Sequence, residues 1–144
     1  MFVYERAVRF EDVDAASIVF FSRFLSYCHE AMEALLAPLD GGYAALIVDR
    51  RQGMPAVRVE ADFAAPLRFG DHMRIEVTVE HIGKTSCTFH YEFRNAKDGT
   101  HVARVRHVVV LCDLNGIRAV AIPSDVRALL ERHLPPGAES SSRL

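Results

Sequence analysis

Two carboxylates stand one residue apart, just ahead of a long segment with helical apolar spacing: Asp12-Val13-Asp14-Ala15-Ala16-Ser17-Ile18-Val19-Phe20-Phe21. A helix that begins near Phe21 carries free backbone N–H groups and roughly half a positive charge at that end. Such an end can polarise a carbonyl oxygen, as oxyanion-hole donors do. A carboxylate in the preceding loop can attack that carbonyl or activate a water toward it. The competing reading is that Asp12 or Asp14 caps a helix or a turn, a frequent use of Asp in such places. Spacing alone leaves both open.

Other candidate chemistry is thinner. His29-Glu30-Ala31-Met32-Glu33 starts like H-E-x-x-H, but the second histidine is replaced by Glu33, which excludes that zinc-protease pattern. His72, His81, His90, His101, His107 and His133 form no ligand spacing, and His107 shares a strand face with Val105 and Val109, as a satisfied interior histidine would. Cys28, Cys87 and Cys112 are far apart, odd in number and without C-x-x-C, which reads as three core thiols in a reducing compartment. Gly41-Gly42 stops a helix and is no phosphate loop.

The elements that must position the carboxylates follow from periodicity. Residues 2–9 read as a strand. Phe21, Phe24, Leu25, Cys28, Met32, Leu35 and Leu36 recur at three and four residues, the mark of an amphipathic helix. Phe20, Tyr27 and Ala31 widen its stripe, so the helix is expected to be wrapped on most sides, ending at Pro38 to Gly42. Tyr43–Val48 reads as a short second helix.

From Met54 the period becomes two, giving strands around residues 57–63, 73–80 and 87–94, each with one buried face. Asn95–Gly99 closes a hairpin onto a long strand over residues 100–113, and a short strand near Arg118–Ile122 precedes a last helix carrying Val126, Leu129 and Leu130. Strands joined by tight turns pair antiparallel. One long apolar helix beside them predicts an α+β fold in which a curved antiparallel sheet wraps that helix and leaves its edges for a second subunit.

At 144 residues the chain is expected to form one domain over residues 1–134, with a flexible C-terminal tail at 135–144. The 17 Lys and Arg against 19 Asp and Glu give a net charge of −2, which argues against nucleic acid as a partner. No apolar run approaches the roughly 18 residues of a membrane span, and no basic region followed by an apolar one marks a signal peptide. A cytoplasmic protein is expected.

The stretch from Asp12 to Phe21 resembles the signature of the 4-hydroxybenzoyl-CoA thioesterase family of hotdog-fold proteins, which runs Asp-x-Asp-x-Ala-Gly-x-Val-x-Tyr/Phe into a central helix. Cys28-His29-Glu30-Ala31-Met32-Glu33 looks like the branch that hydrolyses 1,4-dihydroxy-2-naphthoyl-CoA and related aromatic thioesters. Pro55, Phe63, Pro66, Gly70-Asp71, Gly83, Ser86 and Pro123 fall in the family's order, so the likeness spans about residues 3–133.

The resemblance implies a hotdog-fold acyl-CoA thioesterase that uses water to cleave a thioester, aromatic in the branch it looks like, into free acid and coenzyme A. It implies that Asp14 is the catalytic carboxylate, as nucleophile or general base, and that the backbone N–H of Phe21 holds the oxyanion. Phe20, Phe24 and Met54 are the expected acyl-pocket residues. Lys84, in Gly83-Lys84-Thr85-Ser86, and Arg118 are the expected contacts to the coenzyme A nucleotide, where the bare sequence shows only a turn lysine and a solvated arginine, and Ser86 is a further expected substrate-binding residue. No metal or redox cofactor is implied. A homodimer with sites at subunit boundaries is implied, often a homotetramer.

Ser17 departs from the pattern: the family has Gly there, and a serine would be strained if the backbone takes positive φ. Other hotdog readings are a non-catalytic acyl-CoA-binding module, a thioesterase acting on acyl-carrier protein, and a dehydratase. The dehydratase needs an additional histidine where this stretch offers Phe and Ser.

Overall fold

The computed structural model describes residues 1–138; the expected tail lies, from residue 139 onward, outside the described residues. Strand β1 (Phe2–Ala7) leads through a 3₁₀ turn (Phe10–Asp12) to helix α1 (Arg23–Leu36) and helix α2 (Gly42–Val48). Then follow β2 (Gln52–Gly53), β3 (Ala56–Phe63), β4 (His72–Ile82), β5 (Ser86–Asn95), β6 (His101–Val110), β7 (Cys112–Asp113), β8 (Arg118–Ala119) and helix α3 (Ser124–Glu131). The main sheet is antiparallel, in the order β1-β4-β5-β6-β3.

Its inner face is the alternating apolar set seen in the sequence: Met73, Ile75, Val77 and Val79 on β4, and Cys87, Phe89, Tyr91 and Phe93 on β5, all buried. Against it α1 lays Phe24, Tyr27, Cys28, Ala31, Met32, Leu35 and Leu36, also buried. The arrangement is a sheet curved around one helix, the hotdog architecture that the resemblance implies. The three cysteines are free and buried. Burial raises the Cys87 thiol to about 12, so it stays protonated and unreactive.

The outer face of the sheet is a lattice of ions. Glu76 accepts from Arg74 and Arg94, Glu92 meets Arg104 and His101, and Glu80 meets Arg106.

Three expectations change. The strand over residues 100–113 breaks at Leu111; Cys112–Asp113 leaves the main sheet and joins β2 and β8 in a small separate sheet. The helix is not wrapped on most sides, because Leu25 is 45% exposed and Ser26, His29 and Glu33 beside it are open. Strand β3 does not bury one face: Val57, Val59 and Phe63 are 62%, 41% and 50% exposed. The reason is topological. β3 is an edge strand, paired only with β6, and among the described residues no further strand lies beyond it to cover its apolar side chains.

Candidate active site

The loop between β1 and α1 is held from below by Asp12. Its side chain is 1% exposed, and its Oδ2 accepts from the Arg6 guanidinium at 2.6 Å and from the Arg9 N–H at 2.9 Å. Burial alone would raise this carboxyl, but the Arg6 and Arg9 hydrogen bonds outweigh it and hold the group below the usual carboxylate range. Arg6 in turn donates to Glu30 on α1 at 2.8 Å, and its guanidinium lies 4.5 Å from the centre of the Tyr27 ring. Asp12 therefore ties β1, the loop and α1 together. Of the two carboxylates it is the one that anchors.

Asp14 is the one that faces outward. Its backbone exchanges with Ile18 and Ser17: the Asp14 N–H donates to the Ile18 carbonyl and the Ser17 N–H to the Asp14 carbonyl. Its Oδ1 accepts from the Ala16 N–H at 2.8 Å. That tight loop puts Ser17 at φ 65°, the left-handed region where the family pattern has glycine. The second oxygen, Oδ2, has no partner among the described residues.

Asp14 lines a cavity of about 530 Å³ together with Ile18, Val19, Phe20, Phe21, Phe24, Phe63 and the Ala64–Pro66 segment. Among the described residues Asp14 is the only ionisable side chain on that wall. Phe24 backs the cavity, buried edge-to-face against Phe63 at 5.2 Å and Phe93 at 5.3 Å between ring centres.

The helix starts two residues later than its apolar period suggests. Phe20 to Arg23 form a tight turn in which the Arg23 N–H donates to the Phe20 carbonyl at 2.9 Å and the Phe24 N–H to the Phe21 carbonyl at 3.3 Å. Phe21 thus precedes α1. Its N–H meets no acceptor among the described residues, so it remains available at the positive end of the helix. An apolar cavity, one unshielded carboxylate and a free amide at a helix end can together bind a thioester carbonyl, polarise it and bring a nucleophile or a base to it.

The other expected site residues fall elsewhere. Phe20 and Phe24 line the Asp14 cavity, but Met54, 8% exposed, belongs to the core away from it. Lys84 is exposed in the turn between β4 and β5, and Arg118 on β8 is 77% exposed beside Asp113. Ser86 begins β5, its hydroxyl packed so closely over Gly83 that an added Cβ there would sit 2.8 Å away. These three lie at the Ser86 end of the sheet, where β5 pairs with Val110. The Asp14 cavity lies at the opposite end, behind Phe93. Seven residues of β5 separate the two ends, about 23 Å of strand. One chain does not bring them together.

The turn-capping reading holds for Asp12, which accepts from the Arg9 N–H, but its tie to Arg6 is not legible from local spacing. The signal for it is Arg6, an inward arginine on β1 six residues upstream, which no local spacing rule connects to the loop. Among the described residues, no group of three His, Cys, Asp or Glu side chains converges as metal ligands, and no helix is long and apolar enough to cross a membrane.

Comparison with known proteins identifies the fold and the reaction class. A 1,4-dihydroxy-2-naphthoyl-CoA hydrolase of Nostoc punctiforme is 31% identical over 140 residues, 96% of this chain and 93% of that protein. Another, from Gloeothece citriformis, is 34% identical over 113 residues, 76% of this chain and 79% of that protein. Among solved structures, a 1,4-dihydroxy-2-naphthoyl-CoA thioesterase from Synechocystis superposes with a TM-score of 0.82 at 28% identity, over 90% of this chain and 94% of that one. A gentisyl-coenzyme A thioesterase superposes with a TM-score of 0.78 at 30% identity, over 87% and 98%. The family profile described as "Thioesterase-like superfamily" matches residues 8–130, the span from the end of β1 to α3 that builds the Asp14 cavity, and the chain belongs to that superfamily of hotdog-fold thioester hydrolases.

Proposed function

We propose that this protein hydrolyses an aromatic acyl-CoA thioester to the free acid and coenzyme A in the Asp14 cavity, as a symmetric assembly of at least two chains. Thioester hydrolysis on acyl-CoA follows from the family. The observation that carries the site assignment is that Asp14, alone among the ionisable groups of the described residues, shares an apolar wall with the Phe21 amide, which meets no acceptor among them. In the proposed reaction the Phe21 N–H donates to the thioester oxygen. Asp14 either adds to the carbonyl carbon, expelling the coenzyme A thiolate and leaving an acyl anhydride that water cleaves, or takes a proton from a water that adds there directly. Both routes need the same free Oδ2. The aromatic lining by Phe20, Phe24 and Phe63 favours a flat acyl group, in line with the relatives named above.

The two-chain reading rests on β3. A twofold axis beside this apolar edge sets a second β3 antiparallel to the first. It turns the Lys84, Ser86 and Arg118 end of one copy toward the Asp14 end of the other, so that one coenzyme A ester can touch both. Lys84 and Arg118 then meet the nucleotide phosphates as charge-assisted partners.

Asp14→Asn tests the proposal. With a panel of aromatic and aliphatic acyl-CoA esters and a thiol-reactive dye, turnover of the preferred aromatic ester should fall by roughly 10²- to 10⁴-fold. The fold and ester binding should survive. An Asp14→Asn enzyme that retains turnover within about threefold, well short of the usual loss of an essential acid–base group, would remove Asp14 from the mechanism.

A further inference from the structure

A second cavity, of about 220 Å³, lies along the same seam, between α1 and the β3 and β6 strands. Leu25, Cys28, Val59 and Val105 make it apolar, and His29 and His107 interrupt that lining. It is smaller than the roughly 300 Å³ at which whole-ligand sites begin. It therefore suits one end of a molecule whose remainder lies elsewhere in the groove. Leu25 is four residues and His29 eight residues beyond Phe21, about 7 and 13 Å, the first two residues in the tight turn and the rest on α1. The cavity thus begins about one aromatic ring's length from the amide assigned to the thioester carbonyl.

His107 is not the satisfied interior histidine that its strand position predicts. It stands on the inner face of β6 among Ala103, Val105 and Val109, half-buried, with only a long 3.4 Å contact between its Nδ1 and the hydroxyl of the fully buried Tyr91. Its Nε2 has no partner among the described residues. Burial, with His29 nearby, holds His107 below the ordinary histidine range, so near neutral pH it offers a hydrogen bond and no charge. Burial also pushes the Tyr91 hydroxyl far up, so that it stays a neutral partner able to give or take the Nδ1 hydrogen bond. Nε2 can then accept or donate in turn. A neutral imidazole in an apolar recess suits a hydroxyl better than a carboxylate, and it penalises a plain hydrocarbon end, which would leave it unpaired.

We propose that His107 is the residue that pairs with a hydroxyl group on the aromatic ring of the acyl moiety, through the imidazole nitrogen that Tyr91 leaves free. This rests on the aromatic-thioester reading above and adds the residue that selects among such esters.

The test compares kcat/KM for benzoyl-CoA and its 2-, 3- and 4-hydroxy derivatives in the wild type, His107→Leu and His107→Gln. The wild type should prefer at least one hydroxylated ester. His107→Leu should reduce that preference roughly three- to tenfold, the worth of one neutral hydrogen bond, and His107→Gln, which keeps a neutral donor and acceptor, should retain most of it. A preference unchanged in His107→Leu, or equal losses on plain and hydroxylated esters in both variants, overturns the assignment while leaving the thioesterase site intact. A wild type that turns over aliphatic esters and no aromatic one sinks the aromatic reading, and this proposal with it.

Discussion

Replacing Asp12 should separate anchoring from catalysis. Asp12→Ala deletes a carboxylate whose side chain is 1% exposed. It leaves the Arg9 N–H without its acceptor, and Arg6, 8% exposed, with Glu30 as its remaining ionic partner. Breaking one side of a buried ion pair costs about 3–5 kcal/mol. Glu30 still compensates part of the Arg6 charge, so the lower end, about 3 kcal/mol, is expected. For a chain of this size each kcal/mol moves Tm by roughly 2–4 °C, so the melting temperature should fall by about 6–12 °C.

Asp12→Asn keeps an acceptor for Arg9 and exchanges a charge-assisted bond for a neutral one, a loss of about 1–2 kcal/mol. The folded-state pKa of Asp12 lies below its unfolded value of about 3.9. Its stabilisation is therefore fully present above that pH and is lost as pH falls through the folded value. Melts followed by circular dichroism at pH 7 and in steps below pH 4 should show the wild type losing stability more steeply than Asp12→Asn in the acid range. An Asp12→Ala protein within about 1 kcal/mol of wild type, far from the buried-pair cost, would refute the anchor, as would identical acid slopes for wild type and Asp12→Asn.

Three further outcomes are expected. Ser17→Gly should stabilise the protein by up to about 1 kcal/mol, since the left-handed conformation costs an L-residue about 1–2 kcal/mol and glycine's extra chain entropy returns part of that; a denaturant midpoint that does not rise contradicts it. Val57→Asp, on the exposed face of β3, should shift sedimentation toward monomer and lower turnover, whereas a wild type already monomeric at micromolar concentration contradicts the two-chain site. Lys84→Ala combined with Arg118→Ala should raise KM with little change in kcat and flatten its dependence on salt; unchanged KM removes them from nucleotide binding.

Much of this was legible because it repeats. The three-and-four spacing from Phe24 to Leu36 marks α1, and strict alternation marks β4 and β5. What repetition cannot show is a partner. The alternation of Val57, Val59 and Phe63 is real, but periodicity reports which side chains share a face and not whether anything lies on it. Of the small β2-β7-β8 sheet only β8, near Arg118, is legible in advance, and its pairing is not, because strands of two residues have no period. Likewise the Asp-x-Asp spacing announces two carboxylates, and only Arg6, brought alongside by β1, shows that one of them is an anchor. The helix start moved from Phe21 to Arg23 because Phe20–Arg23 closes its own turn first, a backbone choice that side-chain pattern does not record.

The ions on the sheet's outer face carry an unexpected consequence for how the strands find their alignment. In the observed pairing of β4 with β5, Arg74 lies opposite Arg94 and Glu76 opposite Glu92, like against like, relieved diagonally by the Arg94–Glu76 contact. Sliding β5 by two residues would set Arg74 against Glu92, a directly opposed pair of opposite sign. Surface charge therefore votes for a different alignment from the one adopted. A slip of two keeps the same apolar set inward, so what overrides the charges is the short turn between β4 and β5, closed by the Gly83 N–H donating to the Ser86 carbonyl at 2.8 Å. Lengthening that turn would release the lock on alignment while leaving the core's composition intact, and Phe93, seven residues along β5, would lose its seat behind the reaction chamber.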